Sequence, residues 1–281
     1  MGRTVVVGLS CRRPTVLRDD NEGVAVDLGL RDRVIVVTGA TSGLGLAVAE
    51  TLVDEGARVV VAARTATDVD DVAARLGDAA VGVPADLTDP SSPGRLVAAA
   101  RDRWGRLDGA FISHGGPPPS SALDLDDDLL VRSLDLAAAG PIRLLRELAT
   151  AVESGASLVV LTSVSSVEPV SGIAGSNIAR PAVWAYAKYL ADEVGPQGIR
   201  VNAILPGRFA TQRLVDLWTT RAEANDTDID QERAADEAGI PLRRIGEPAE
   251  LGALAAFLLS PRSGYLHGTA IRMDGGSVRG L

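Results

Sequence analysis

The chain has 281 residues, 46% hydrophobic and only 3% aromatic, which is enough for one large domain with a core of Val, Leu, Ala and Ile. A net charge of −9 disfavours nucleic acid and anionic membrane surfaces as partners. The single cysteine, Cys11, excludes an internal disulfide and a cysteine-based metal site, and no apolar run approaches the length of a membrane span, so a cytoplasmic protein without a metal is expected.

Residues 1–25 read unlike the rest. A short apolar stretch after Met1-Gly2-Arg3-Thr4 is too short for a signal peptide, and the polar run Arg18–Gly23 reads as a disordered link, so an extension outside the fold is expected there. Residues 26–281 read as a single domain with no internal repeat or linker.

The first strand is expected at 33–38 and the first helix at 44–55, joined by Thr38-Gly39-Ala40-Thr41-Ser42-Gly43-Leu44-Gly45. This strand, glycine turn and helix together are suited to holding a phosphate: Gly39 for a tight turn, Gly43 for close approach of a pyrophosphate, Gly45 for helix–strand packing. The second strand, 58–62, runs into Ala63-Arg64. An acid at the end of this strand would hold the 2′-hydroxyl of NAD, whereas Arg64, 19 residues beyond Gly45, can pair with the 2′-phosphate of NADP. A helix at 68–76 and a strand at 80–84 follow, then Asp86-Leu87, where Asp86 can accept from an adenine amino group or cap the helix at 91–104.

The fourth strand, 108–113, ends in Ser113-His114-Gly115-Gly116 followed by three prolines, a loop both open to close approach and stiff. A helix is expected at 122–150 and a fifth strand at 157–162, closed by Ser163. A helix at 174–194 and a strand at 199–204 come next. The highly charged segment 212–240, expected to be helical over 212–237, is either a lid over a substrate site or a solvated helix pair. A helix at 248–259 and a strand at 269–273 complete an alternation that implies a doubly wound parallel seven-stranded sheet with helices on both faces.

From about residue 30 to 276 the chain resembles the short-chain dehydrogenases/reductases. The resemblance is carried by the glycine turn, Asp86-Leu87, the segment Arg200-Val201-Asn202-Ala203-Ile204-Leu205-Pro206-Gly207, the run Pro241–Pro248 and Met273-Asp274-Gly275-Gly276. Its C-terminal half is similar to 3-oxoacyl-carrier-protein reductases. The resemblance implies a Rossmann-type fold, a nicotinamide cofactor, a small-molecule carbonyl/alcohol substrate pair, and a homodimer or homotetramer. It also implies cofactor contacts from Thr41, Ser42 and Leu44 beside the three glycines, from Arg64, Asp86 and Leu87, from Ser113 and Gly115, and from Pro206, Gly207, Phe209 and Thr211. With Arg64 in place, NADP(H) is expected over NAD(H).

The family's chemistry uses a Tyr-x-x-x-Lys pair, a serine and an asparagine, and here the pair is impossible. Lys188 is the only lysine, and Trp184 stands four residues before it. Counting from Ser163, the tyrosine position, 13 residues on, is Ser176, and the lysine position four beyond it is Arg180. The asparagine position is Ala137. Serine is far less acidic than tyrosine and shorter, so Ser176 cannot protonate a carbonyl as tyrosine would. Arg180 can hold ribose hydroxyls and, with Ser163 and Ser176, can stabilise an oxyanion, with solvent or His114 supplying the proton. Alternatively, Ser176-Asn177 merely caps a helix in whose first turn Pro181 lies. Three functions stay open: an NADP(H)-dependent oxidoreductase with an altered catalytic set, a non-catalytic dinucleotide-binding protein, or redox-neutral lyase or isomerase chemistry in the same pocket.

Overall fold

A computed structural model describes residues 26–280, so the extension expected at 1–25 lies outside the described residues. Seven strands alternate with helices: β1 Val34–Thr38, α1 Gly43–Asp54, β2 Arg58–Ala63, α2 Ala66–Leu76, β3 Ala80–Pro84, α3 Ser92–Trp104 and β4 Gly109–Ile112. Then follow α4 Asp127–Leu134, α5 Gly140–Ala151, β5 Ser157–Leu161, α6 Ala174–Val194, β6 Arg200–Pro206, α7 Gln212–Asn225, α8 Ile229–Gly239, α9 Pro248–Leu259 and β7 Ala270–Met273. All strand pairs are parallel, in the order β3-β2-β1-β4-β5-β6-β7. The order reverses between β1 and β4, which opens a crevice at their carboxyl ends.

The strands are continuous apolar runs because both faces of the sheet are covered. Val34 and Val36 point to the layer that holds Leu96 of α3, Leu144 and Leu148 of α5, and Val183 of α6. Ile35 and Val37 point to the opposite layer, with Val48 and Leu52 of α1, Val69 of α2, and Leu251, Ala255, Leu258 and Leu259 of α9. Fully burying each Val or Leu is worth about 1.5–3 kcal/mol, and this two-sided burial is what holds the strand ends in register.

Two helices differ from the pattern expected of them. The segment 122–150 becomes helical only at Asp127, where Asp126 caps the first turn by accepting from Leu129 N at 2.7 Å. It then loosens into a π-helical turn, Asp135–Ala139, before α5. The segment 212–237 is two helices, because Asp226 takes a left-handed conformation (φ 54°) that ends α7, and Asp228 opens α8 through a capping box with Gln231. Leu214, Trp218, Ile240 and Ile245 give this helix pair a small core of its own.

No helix among the described residues is long and apolar enough to cross a membrane.

Candidate active site

The glycine turn lies at the carboxyl end of β1, in the crevice. Gly39 and Gly43 have φ of 61° and 54°, which side chains rarely adopt. A β-carbon on Gly45 would run into the Gly39 carbonyl, 2.7 Å from its carbon, so only glycine lets α1 start this close to the strand. Ser42 occupies the N-cap of α1 but makes no side-chain capping bond, and the first turn carries no acid. The amides at this helix start are thus left for a ligand, and the turn fits a phosphate group. Leu44 is half-buried and packs on the core, so its contribution to a ligand would come from its backbone.

The neighbouring strand ends supply further groups. Arg64 is exposed just beyond β2 and has no ion pair among the described residues. Asp86 accepts from the Thr88 amide at 2.9 Å and from its hydroxyl at 2.8 Å, and these bonds, with Arg64 nearby, hold the carboxyl below the usual aspartate range. One carboxylate oxygen therefore closes the local turn and the other stays free. The Leu87 carbonyl accepts from Arg143 at 3.0 Å, which fixes this loop to α5. Thr38 Oγ1 donates to the Ser113 carbonyl at 2.6 Å and accepts from the Ser113 amide at 3.0 Å, tying the ends of β1 and β4 together across the crevice. Gly115 is exposed in the loop that follows.

The candidate catalytic residues come from β5 and α6. Ser163 follows β5, and its Oγ accepts from the Ser165 amide at 3.1 Å, leaving its hydroxyl proton available to donate. Ser176 and Arg180 are one helical step of four residues apart in α6, and both are buried, at 4% and 7% exposure. The helix begins at Ala174 behind Ile173, so Ser176 and Asn177 lie inside it and do not cap it. Asn177 instead clamps the preceding loop, donating to Val170 O at 2.8 Å and accepting from Val170 N at 3.0 Å. Pro181 likewise sits within the helix, not in its first turn. Ala137, at the asparagine position, is fully buried in the π-helical turn and offers no polar group.

Arg180 donates through Nη1 to His114 Nε2 at 2.8 Å and to the Leu161 carbonyl at 3.3 Å, while its Nε is buried without a partner. An arginine can only donate, so His114 Nε2 must accept, and the ring proton sits on Nδ1, which faces the Gly115 carbonyl at 3.1 Å. Burial first, then Arg180, with a smaller push from Arg213, drive the His114 pKa well below the usual histidine value. His114 is therefore neutral with both ring nitrogens engaged, and of the two proton sources left open by the sequence, solvent or His114, this arrangement favours solvent. Burial and then Arg213 lower the Arg180 pKa to about 9, which leaves it a cation at neutral pH.

Beyond β6, Gly207 N donates to Met273 O at 2.9 Å, and a β-carbon there would meet Asp274. Pro206 and Phe209 are buried, and the Phe209 ring packs on Gly246 in the core, so Phe209 cannot present its side chain to a cofactor. Thr211 does reach the crevice: a β-carbon on Gly43 would lie 3.3 Å from its Cγ2. Two residues on, Arg213 in the first turn of α7 lays its guanidinium against Gly116, where a β-carbon would come within 2.6 Å of Nη1. Nothing in the sequence singles out Arg213, since a lone arginine on a charged helix carries no pattern. A cavity of about 850 Å³ between the helix pair and α9, lined by Trp218, Arg233, Glu237 and Glu250 among others, touches none of His114, Ser163, Ser176 or Arg180. Lys188 pairs with Asp192 at 3.6 Å on the outer surface of α6, and Tyr189 is exposed there. Tyr186 packs at the edge of the core.

A doubly wound parallel sheet with an uncapped glycine turn at the switch point defines a Rossmann-type nucleotide-binding fold. A family model described as enoyl-(acyl carrier protein) reductase matches residues 39–277. The chain is 28% identical to human dehydrogenase/reductase SDR family member 4, covering 99% of each chain. It is 31% identical to a cyclohexanol dehydrogenase from Rhodococcus, over 89% of this chain and 97% of that one. Among solved structures, L-sorbose reductase from Gluconobacter frateurii, complexed with NADPH and L-sorbose, superposes with a TM-score of 0.84 at 27% identity, covering 91% of this chain and 100% of that one. The chain belongs to the short-chain dehydrogenase/reductase family, a family of oxidoreductases.

Proposed function

We propose that this protein is an NADP(H)-dependent oxidoreductase acting on a carbonyl/alcohol pair, with an electrostatic site in place of the tyrosine–lysine pair. The observation that carries this reading is the buried Arg180 guanidinium at the end of β5, with an unpartnered Nε, on the same helix face as Ser176. When bound, the dinucleotide supplies the hydride. The glycine turn and the amides of α1 would hold its pyrophosphate, Arg64 would pair with the 2′-phosphate, and Asp86 with Leu87 would serve the adenine. Ser113, Gly115, Pro206, Gly207 and Thr211 would border the remainder, and Arg180 would hold the ribose hydroxyls. The NADPH complex of the L-sorbose reductase supports the same cofactor.

Ser163 donates a hydrogen bond to the substrate oxygen. Arg180 stabilises negative charge developing on that oxygen from a desolvated position, where such a charge counts for more than in water. His114 holds Arg180 through its neutral Nε2 and keeps that guanidinium from swinging away. Solvent delivers the proton, because both ring nitrogens of His114 are engaged and Ser176 is too short to take the tyrosine's part.

Titrating NADPH and NADH into the purified protein, then following NADPH oxidation over a panel of ketones and aldehydes, tests this reading. Tight NADPH binding with slow turnover is expected. Tight binding with no turnover on any carbonyl makes the protein a dinucleotide binder without catalysis, and no binding removes the assigned roles of Gly39, Gly43 and Arg64.

A further inference from the structure

The arginines of this acidic chain mostly find carboxylates near the helix pair: Arg208 and Arg221 share Asp236, Arg233 pairs with Glu237, and Arg244 with Glu250. Arg180 and Arg213 do not. Neither makes an ion pair among the described residues, although they come from different elements and converge on the loop after β4. Arg180 is 7% exposed, and its donors meet only a neutral imidazole and a backbone carbonyl, with Nε left over. Arg213 lies against Gly116, and the first turn of α7 that carries it contains no acid. Besides burial, the charges that shift them are arginines: Arg213 lowers the Arg180 pKa, and Arg180 and Arg213 lower that of His114. A guanidinium without an anion can give a carboxylate charge-assisted, two-pronged hydrogen bonds, and of these two the exposed Arg213 is placed to take one while the buried Arg180 adds its positive charge from behind.

We infer that the substrate is itself an anion, a carbonyl compound bearing a carboxylate close to its carbonyl carbon, with Arg213 taking the carboxylate while Arg180 and Ser163 face the carbonyl oxygen. This rests on the carbonyl chemistry proposed above and adds the substrate class. Arg213 acts as the specificity-determining residue, since its exposed guanidinium lies against Gly116, in the loop that also holds His114 and through it Arg180.

The test is a calorimetric titration of 2-oxopentanoate and of 2-pentanone, which lacks the carboxylate, into the wild type and Arg213→Gln, each with and without NADP⁺, beside a titration of NADPH. The wild type should bind the oxo acid at least about tenfold more tightly than the ketone, as expected for one charge-assisted pair. Arg213→Gln should abolish that preference and leave NADPH affinity unchanged. Equal affinity of the wild type for the two compounds overturns the inference. So does an Arg213→Gln protein that loses NADPH affinity but keeps the preference, because the guanidinium then serves the dinucleotide. A wild type that prefers the oxo acid yet fails to bind NADPH upholds the anion site and removes the cofactor reading instead.

Discussion

The two ends of the crevice are built on different principles. The β1–α1–β2 end works mainly through backbone, by its glycine turn, its uncapped amides and the close approach of Gly45 to Gly39, with Arg64 the side chain proposed to join them. The β4–β5–α6 end works through side chains brought from far apart, with His114 and Arg180 separated by 66 residues yet joined at 2.8 Å. A backbone site tolerates no change of shape, whereas a side-chain site can change its chemistry while the fold stays put. The proposed electrostatic site of Ser176 and Arg180 on α6, in place of a tyrosine–lysine pair, would be that kind of change.

The largest effect should come from the backbone end. Gly45→Ala places a methyl group on the Gly39 carbonyl, so thermal unfolding should show a loss of about 3 kcal/mol or more and calorimetry should show NADPH binding abolished. A Gly45→Ala protein with normal stability and binding would break the distinction between the two ends. Rebuilding the side-chain end should have the opposite sign. Ser176→Tyr combined with Arg180→Lys supplies an acid beside a cation and should raise turnover by about a hundredfold, with NADPH affinity little changed. No gain would mean that the surroundings of α6, and not these two side chains, limit the chemistry.

Arg64→Ala should cost NADPH about tenfold in affinity and NADH nothing, read by parallel titrations, because one charge-assisted contact is worth roughly 1.5–3 kcal/mol. The smallest effect concerns pH. The folded-state pKa of His114 lies below its unfolded value, so below about pH 6.5 the unfolded chain takes up a proton that the folded one refuses. Stability from this group is fully present above that pH and is lost as pH falls toward the folded pKa, at no more than about 1.4 kcal/mol per pH unit. Denaturation midpoints between pH 7 and 5 should therefore fall less steeply for His114→Gln than for the wild type.

The strands are legible in the sequence because burial on both faces makes them unbroken apolar runs between turn residues, as in Val34–Val37. The glycine turn is legible because its spacing states a backbone geometry. The proposed catalytic positions Ser163, Ser176 and Arg180 rest on counting along the chain, and the fold places Ser176 and Arg180 four residues apart in α6. The break at Asp226 is written in the sequence as the turn run Asn225-Asp226-Thr227-Asp228 with Gln231 three residues on, but the high charge of the segment masks it in a reading by periodicity. The contacts of His114 with Arg180 and of Arg213 with Gly116 are hidden because each depends on a partner that only the folded crevice brings near, and no local pattern announces it.

Trp218 offers a use beyond its place in the small core of the helix pair. Its indole Nε1 donates to Asp236 at 2.7 Å, and that carboxylate also holds Arg208, next to the end of β6, and Arg221 of α7. One buried carboxylate thus pins α7, α8 and the loop after β6 to each other, and a fluorophore sits on the joint. Any ligand that shifts this helix pair relative to the sheet would alter the hydrogen bond and the polarity around the indole, giving the protein a built-in optical reporter of events in the crevice.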